Sequence, residues 1–306
     1  MKPLPKYNLE KTQIYPLGSN FYESIKDGLK INFENLSLSE LTSYASIGTC
    51  FAEEFSTYLK ENNIGKYITL EDNPWNSSAF WGRVYTIGNL LQIIHYSTDQ
   101  NYPIFIENTS KGYIDPLRDG SVPSEESIES INLSINDHRF NSRQILNMVD
   151  ILVITLGQNE TWFDSKLDIV WGSIPPTELR LKENERFSPI EYTYRQNFKN
   201  LKEIISILTK FNPELKILLT VSPVPAYATF LNESIIPQSF AGKCILRSVV
   251  NEIIQEYSQR VFYFPSFEMA LCDNISAFKS DNRHVKRGRV DRIFKVFSLL
   301  PRRPQS

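Results

Sequence analysis

The chain has 306 residues and a formal net charge of −2, from 33 Lys and Arg against 35 Asp and Glu. This balance gives no electrostatic reason to expect nucleic acid or an anionic membrane as a partner. No apolar run approaches the roughly 20 residues of a membrane span, and the N-terminus lacks the apolar segment of a secretory signal. We therefore expect a cytoplasmic protein, and its three cysteines, an odd number, suit a reducing compartment.

Apolar runs alternate with helical patterns along most of the chain. Residues 41 to 48 favour a strand, because they form a short apolar run that ends at a glycine. The other patterns predict, in chain order, a helix at 50–63, a strand at 66–71, helices at 86–97 and 141–149, a strand at 150–157, a helix at 192–213, a strand at 215–225, a helix at 242–258, a strand at 260–268 and a helix at 290–300.

Continuous apolar strands that alternate with helices are typical of a parallel sheet covered on both faces. We therefore predict an α/β fold, a three-layer sandwich around a central parallel sheet, in residues 41–298. Residues of about 100–140 contain short extended runs between turn residues and are interpreted as an insertion with β-hairpins. Residues 1–40 are expected to be an N-terminal extension and residues 299–306 a flexible tail.

Three of the predicted strands end in polar residues that could carry chemistry. Thr49 and Cys50 follow the first strand, Asn159 follows a middle strand, and Asp281 and His284 come after the last strand. In open parallel sheets, active groups lie in the loops at the carboxyl ends of the strands. These residues are a nucleophile candidate, an amide donor, and a base with an orienting carboxylate.

The same segments resemble the GSCFA-domain family. The similar stretches are GTCFAEEF, ITLGQNETWFD, LLTVSPVP, VFYFPSFE and NRHV, and together they span roughly residues 44 to 297. That family is grouped with the SGNH, or GDSL-like, hydrolases and acyltransferases. The resemblance implies a flavodoxin-like sheet order and a reaction at an acyl group.

The family pattern assigns a role to each matching residue. Cys50 stands where the wider family has its serine nucleophile, and Asn159 matches the amide of the oxyanion hole. Asp281 and His284 match the Asp-x-x-His motif that supplies the base. Cysteine in place of serine would change the covalent intermediate from an ester to a thioester.

Two assignments leave alternatives open. The second-block glycine is assigned to Gly82, with Gly88 as the runner-up. Thr49 replaces the usual serine of the GSCFA signature, so Thr49 could carry the reaction instead of Cys50, or the site could be inactive.

The residue types support this assignment independently of the resemblance. A helix N-terminus and a nearby imidazole can lower the pKa of a thiol such as that of Cys50. The alternative is a cysteine packed as a small hydrophobe, which suits Cys244 and Cys272. Asp281 lies three residues before His284, a spacing that lets the carboxylate hold one ring nitrogen and leave the other free for a proton.

Four further residues are candidates for substrate binding. Glu160 and Trp162 could line the pocket, although a tryptophan there is equally compatible with the core. Lys243 and Arg247 are one helical turn apart and could hold an anionic group, such as a phosphate of acyl-coenzyme A, or form a solvated helix face. No set of metal ligands and no glycine-rich phosphate loop is present in the sequence, so no cofactor is expected to be required.

We predict an esterase or O-acyltransferase that acts on a carbohydrate or another small hydroxylated substrate. In this hypothesis His284 deprotonates Cys50, the thiolate attacks the acyl carbonyl, and Asn159 with backbone amides holds the oxyanion. The alternative is an SGNH-fold glycan-binding module without turnover, and a third hypothesis is a redox-sensing thiol. The acyl donor, the acceptor and the oligomeric state stay open.

Overall fold

The computed structural model describes residues 11–16, 20–36, 38–71, 74, 77–118, 122–273, 277–300 and 302. Most of the tail predicted at 299–306 and the first ten residues of the predicted extension lie outside these ranges. The strands of the described residues are β1 (Ser43–Gly48), β2 (Lys66–Tyr67), β3 (Glu107–Thr109), β4 (Gly112–Ile114), β5 (Ile151–Leu156), β6 (Glu160–Asp164), β7 (Ile169–Val170), β8 (Phe187–Glu191), β9 (Lys216–Val221) and β10 (Val261–Tyr263). The helices are α1 (Phe21–Asn32), α2 (Cys50–Glu61), α3 (Ile87–Thr98), α4 (Ile128–Met148), α5 (Thr177–Lys182), α6 (Tyr194–Phe211), α7 (Ile235–Glu256), α8 (Ser266–Leu271) and α9 (Arg287–Ser298).

Five strands form the central sheet, in the order β10-β9-β5-β1-β2. Each neighbouring pair in this sheet is parallel, with Ser46 of β1 beside Val153 of β5 and Val153 beside Leu218 of β9. When the five strands of this sheet are numbered 1 to 5 along the chain and read from the edge at β2, the order is 2-1-3-4-5, which is flavodoxin-like. The predicted α/β fold with a central parallel sheet is confirmed.

Two hydrophobic cores lie on opposite faces of the sheet, because successive side chains of a strand point to opposite sides. In β5, Leu152 and Ile154 enter the core under α3, α4, α6 and α7. Ile151 and Val153 enter the other core, under α1, α2, α8 and α9. The helices therefore cover both faces, which gives the three layers of the sandwich.

The predicted insertion differs from the structure in part. The hairpin of β3 and β4 is present. The segment that follows is not a second hairpin but the N-terminal half of α4, a helix of 21 residues. Its Ser/Glu-rich start supplies the cap, since the Ser127 side chain accepts a hydrogen bond from the Ser130 N–H, and buried Ile131 and Ile135 are one turn apart. The hairpin predicted for residues 128–140 is wrong, because the serines at the start of this segment cap a helix instead of forming a turn.

A small antiparallel sheet and the helix α1 are among the elements that were not predicted from the sequence. The proline-containing segment after β5 forms an antiparallel sheet in the order β7-β6-β8, with Pro189 in the edge strand β8, where a missing N–H is tolerated. In the region predicted as an N-terminal extension, α1 buries Leu29 in the core shared with α9. Within the described residues, none of the helices is both long and apolar enough to cross a bilayer.

Candidate active site

A cleft of about 410 Å³ opens at the carboxyl edge of the central sheet. The loops after β1, β5 and β9 and the loop before α9 supply its walls, as expected for a doubly wound sheet. The residues that line it include Thr49, Cys50, Arg83, Tyr85, Gly157, Gln158, Glu160, Trp162, Tyr227, Phe230, Arg283 and His284.

The turn between β1 and α2 places Cys50 at this cleft. Gly48 ends β1 with φ of +138°, and a Cβ there would lie 2.3 Å from the Thr155 carbonyl oxygen, so only glycine fits. Thr49 is the N-cap of α2, and its hydroxyl accepts a hydrogen bond from the Phe51 N–H at 3.2 Å. The turn therefore brings both candidate nucleophiles to the cleft, with the Thr49 hydroxyl engaged as the cap of α2.

His284 and Asp281 form the predicted pair in the loop before α9. The His284 Nδ1–H donates to Asp281 Oδ2 at 2.5 Å, and the His284 backbone N–H donates to Oδ1 at 3.0 Å. The hydrogen bond from the His284 side chain is the main reason why the pKa of Asp281 lies below its usual value. His284 lines the cleft. Because Nδ1 is paired with Asp281, Nε2 is the ring nitrogen that could accept a proton.

Cys50 and His284 line the same cleft, but no hydrogen bond joins them among the residues that the structure describes. Burial raises the pKa of the Cys50 thiol, while the positive charges of Arg83 and Lys243 act in the opposite direction. The expectation of a thiol pKa lowered by the helix N-terminus is therefore wrong in its net direction, because desolvation of the thiolate outweighs these charges. A thiolate at this position therefore requires a base to accept the thiol proton.

Asn159 does not line the cleft. Its Nδ2 donates to the Tyr192 carbonyl oxygen at 2.5 Å and to Glu191 Oε1 at 3.1 Å, and its Oδ1 accepts from Asn197 Nδ2. Both amide hydrogens are thus used to bind the end of β8 and the residue that follows it. In this arrangement Asn159 cannot donate to an oxyanion, which corrects the role that the family pattern assigned to it.

Gln158, one residue earlier, is a cleft residue that the sequence analysis missed. Its backbone N–H donates to the Tyr85 carbonyl oxygen at 2.8 Å, and its side-chain amide has no hydrogen-bond partner among the described residues. The only signal in the sequence is its position between Gly157 and Asn159 at the end of a buried strand.

The two glycine candidates have different surroundings. Gly82 is buried with φ of +70°, a conformation that favours glycine, and its neighbour Arg83 lines the cleft. Gly88 lies in α3, where a Cβ would come within 2.0 Å of the Tyr192 hydroxyl. The runner-up Gly88 is therefore a packing residue.

Glu160 and Trp162 both lie in the cleft wall. Glu160 accepts hydrogen bonds from the Thr229 hydroxyl at 2.6 Å and from the Phe230 N–H at 2.7 Å, which holds the loop after β9 in place. Trp162 packs edge-on against Phe230, with ring centroids 5.0 Å apart, and the Arg180 guanidinium lies 5.2 Å from its ring. Glu160 therefore positions an aromatic wall.

Lys243 and Arg247 do not reach the cleft. The Lys243 side chain is buried and donates to the Gly157 carbonyl oxygen at 2.5 Å. Arg247 forms an ion pair with Glu268, with Nε 2.6 Å from Oε1. Because both cations have protein partners, neither is available to hold a phosphate of acyl-coenzyme A, which corrects their assignment as substrate-binding residues.

The fold and this cleft define a doubly wound α/β protein with a cysteine and a histidine–aspartate pair at the carboxyl edge of its sheet. The sequence model of the GSCFA family matches residues 43–297, and the chain belongs to that family. No curated protein matches the chain in sequence. Among solved structures, it is similar to the periplasmic domain of a lipopolysaccharide acetyltransferase from Salmonella serovar Paratyphi A. The identity is 11%, the match covers 95% of this chain and 97% of the other, and the TM-score is 0.37, which supports no conclusion about function.

The described residues contain no group of three or more His, Cys, Asp or Glu side chains that could hold a metal ion.

Proposed function

We propose that the protein is an SGNH-like acyl-transfer enzyme with Cys50 as its nucleophile. The observation that carries this proposal is that Cys50, at the N-terminus of α2, lines one cleft together with a histidine oriented by an aspartate. A nucleophile, a base and a group that orients the base are the parts that such catalysis requires.

The reaction would proceed in two half-reactions. His284 Nε2 takes the thiol proton, the Cys50 sulfur attacks the acyl carbonyl carbon, and the imidazolium returns the proton to the leaving oxygen or sulfur as the thioester forms. Water or an acceptor hydroxyl then attacks the thioester, giving its proton to His284, and the sulfur leaves with that proton. The absence of a hydrogen bond between Cys50 and His284 is compatible with these reaction steps, because catalytic hydrogen bonds are often long before substrate binds.

The oxyanion needs donors other than Asn159. The N–H groups in the first turn of a helix have no partner within the helix, so the Cys50 N–H at the start of α2 is a suitable donor. The Gln158 side-chain amide in the same cleft is a second candidate. Loss of one such donor reduces the rate by about 10²–10³.

We propose a carbohydrate or another small hydroxylated molecule as the substrate. Trp162, Phe230 and Tyr227 give the cleft an aromatic wall on which a sugar ring could stack. Arg83 and Arg283 are the cationic side chains of the lining. Acyl-coenzyme A is retained as a candidate donor, without a phosphate site at Lys243 or Arg247.

The test combines turnover of short-chain aryl esters and acetyl-coenzyme A with peptide mass spectrometry of the acylated protein. We expect acyl transfer to Cys50 in the wild type, and a loss of about a thousandfold or more in kcat/KM for Cys50→Ala and for His284→Ala. Cys244→Ala is the matched control, because Cys244 is an exposed thiol outside the cleft lining. Turnover by Cys50→Ala at the wild-type rate would refute the assignment of the nucleophile.

A glycan-binding module without turnover is the second candidate. The hydrogen bonds that occupy Asn159 and the raised pKa of Cys50 favour this hypothesis over a fully assembled catalytic site. In that case oligosaccharide binding measured by calorimetry would be unchanged in Cys50→Ala and lost in Trp162→Ala, and the wild type would form no acyl adduct.

A further inference from the structure

The turn between β5 and β6 covers a buried lysine on α7. Lys243 is 4% exposed, and its ammonium group has one hydrogen-bond partner among the described residues, the Gly157 carbonyl oxygen. No carboxylate of the described residues forms an ion pair with it. A buried ammonium without a carboxylate partner is uncommon, because desolvation of the charge is costly. Its position therefore calls for an explanation.

Lys243 lies behind the candidate nucleophile. The residue that it binds, Gly157, lines the cleft and packs directly against Thr49, since a Cβ on Gly157 would be 2.3 Å from Thr49 Cγ2. Thr49 in turn precedes Cys50. Lys243 is thus separated from the Cys50 turn by a single packed glycine.

The charges of the two groups affect each other. Burial lowers the pKa of Lys243 to about 7, and negative charge on Cys50 acts against this lowering. In return, the positive charge of Lys243 acts to lower the pKa of the thiol. A lysine with this pKa gains or loses its proton near neutral pH, depending on whether the thiolate has formed.

We propose that Lys243 is a positioning residue of the candidate active site: its ammonium group stabilises the Cys50 thiolate from behind the turn, and its hydrogen bond to Gly157 fixes the strand end that carries Gln158. The catalytic role of Lys243 rests on the proposed function, but the electrostatic coupling between Lys243 and Cys50 can be measured without any turnover.

Other charged groups near the pair do not replace Lys243 in this role. Glu160 and Glu191 line the small cavity beside Lys243, but Glu160 accepts from the loop after β9 and Glu191 accepts from Asn159. Around Cys50, Arg83 acts to lower the thiol pKa, and Glu53 and Glu54 act to raise it. Arg83 keeps its charge over the whole working range, so it cannot produce the pH signature expected of Lys243.

The experiment measures the rate of Cys50 alkylation by iodoacetamide, followed by peptide mass spectrometry from pH 5.5 to 9.5. For Lys243→Met we expect alkylation about five- to tenfold slower than wild type below pH 7, because one unit of thiol pKa changes the thiolate fraction tenfold. The two rates should converge near pH 9.5, where the lysine of the wild type is neutral. Lys243→Arg, which stays charged, should remain faster than Lys243→Met at every pH.

Lys202→Met is the matched control, since this exposed lysine of α6 pairs with Glu256, and it should follow the wild-type curve. The proposal would be overturned if the alkylation rate of Lys243→Met, divided by that of the wild type, were constant from pH 5.5 to 9.5 or equal to one. A purely structural disturbance would change the rate by the same factor at every pH.

The wild type alone provides a second measurement in case Lys243→Met does not fold. With two coupled groups, the logarithm of the alkylation rate should rise with a slope below one between about pH 7 and 8. A slope of one throughout that range would refute the coupling. These results do not depend on acyl transfer, so a failure of the proposed function and a failure of this inference are separate outcomes.

Discussion

Alanine in place of Gly157 should disturb the turn that presents Cys50. The added Cβ would lie 2.3 Å from Thr49 Cγ2 and 3.1 Å from the Tyr85 carbonyl oxygen. Thr49 is β-branched and buried, and its hydroxyl caps α2, so rotation of its side chain would sacrifice the hydrogen bond from Phe51. Overpacking of this kind destabilises a protein by about 1–3 kcal/mol, and we expect Gly157→Ala to fall in that range.

A double-mutant cycle with Thr49→Ser isolates this contact. The serine keeps the capping hydroxyl and removes the clashing methyl group, at a cost of about 0.8 kcal/mol for the lost burial. In urea unfolding followed by circular dichroism, Gly157→Ala should therefore cost about 1–2 kcal/mol less in the Thr49→Ser background than in the wild type. An equal cost in both backgrounds would refute the steric reasoning.

Gly288→Ala is the control for the general effect of replacing a glycine. Gly288 lies in the first turn of α9, and a Cβ there would meet no atom within 4 Å. Because alanine lowers the entropy of the unfolded chain and favours a helix, this variant should be neutral or more stable by up to about 1 kcal/mol.

Three further predictions concern the stability of the fold. Burial lowers the pKa of His138, and its hydrogen bond to Glu71 brings the pKa of that carboxyl below its usual value against the effect of burial. Both groups bind more protons in the unfolded state than in the folded state. The free energy of unfolding in urea should therefore be highest above about pH 6.5 and fall on acidification, by at most about 1.4 kcal/mol per pH unit for each proton. An equally steep fall in His138→Gln would contradict this. Phe294 is fully buried among aromatic rings, and Phe294→Ala should cost about 3–5 kcal/mol, whereas Leu299→Ala at the exposed end of α9 should change stability by less than about 1 kcal/mol; similar losses in the two variants would show that the packing of this core is not decisive. Arg186→Met leaves two buried carboxylates without their cation and should cost about 3–5 kcal/mol, and a thermal midpoint equal to wild type would argue against a buried ion cluster.

Most of the fold could be predicted from the sequence, because the apolar runs of the central strands can be recognised without knowing which strands pair. The run at Ile151–Leu156 is buried on both sides, and such runs between helices favour a parallel sheet. Residues 128–140 of α4 were missed since polar residues dominate the helix and only Ile131 and Ile135 reveal its buried side. The strands β6 and β8 were missed because they pair across more than twenty positions of the chain, and β7 was missed because it has only two residues.

The candidate site could be predicted from the sequence only in part. Cys50 and His284 were predicted from strand ends and motifs, and the structure places both in one cleft. The structure gave Asn159 a different environment from the one the pattern implied, and Gln158 had no signal of its own.

Local residue patterns were therefore enough to predict the alternation of strands and helices, the edge of the sheet where polar groups collect, and the helix start at Cys50. The contacts that each polar group makes there become visible in the folded chain. The amide of Asn159 is used by a residue 38 positions later, and Lys243 is buried against a carbonyl 86 positions earlier. Hydrogen bonding and desolvation depend on neighbours brought together by folding, whereas hydrophobic periodicity is local to each element.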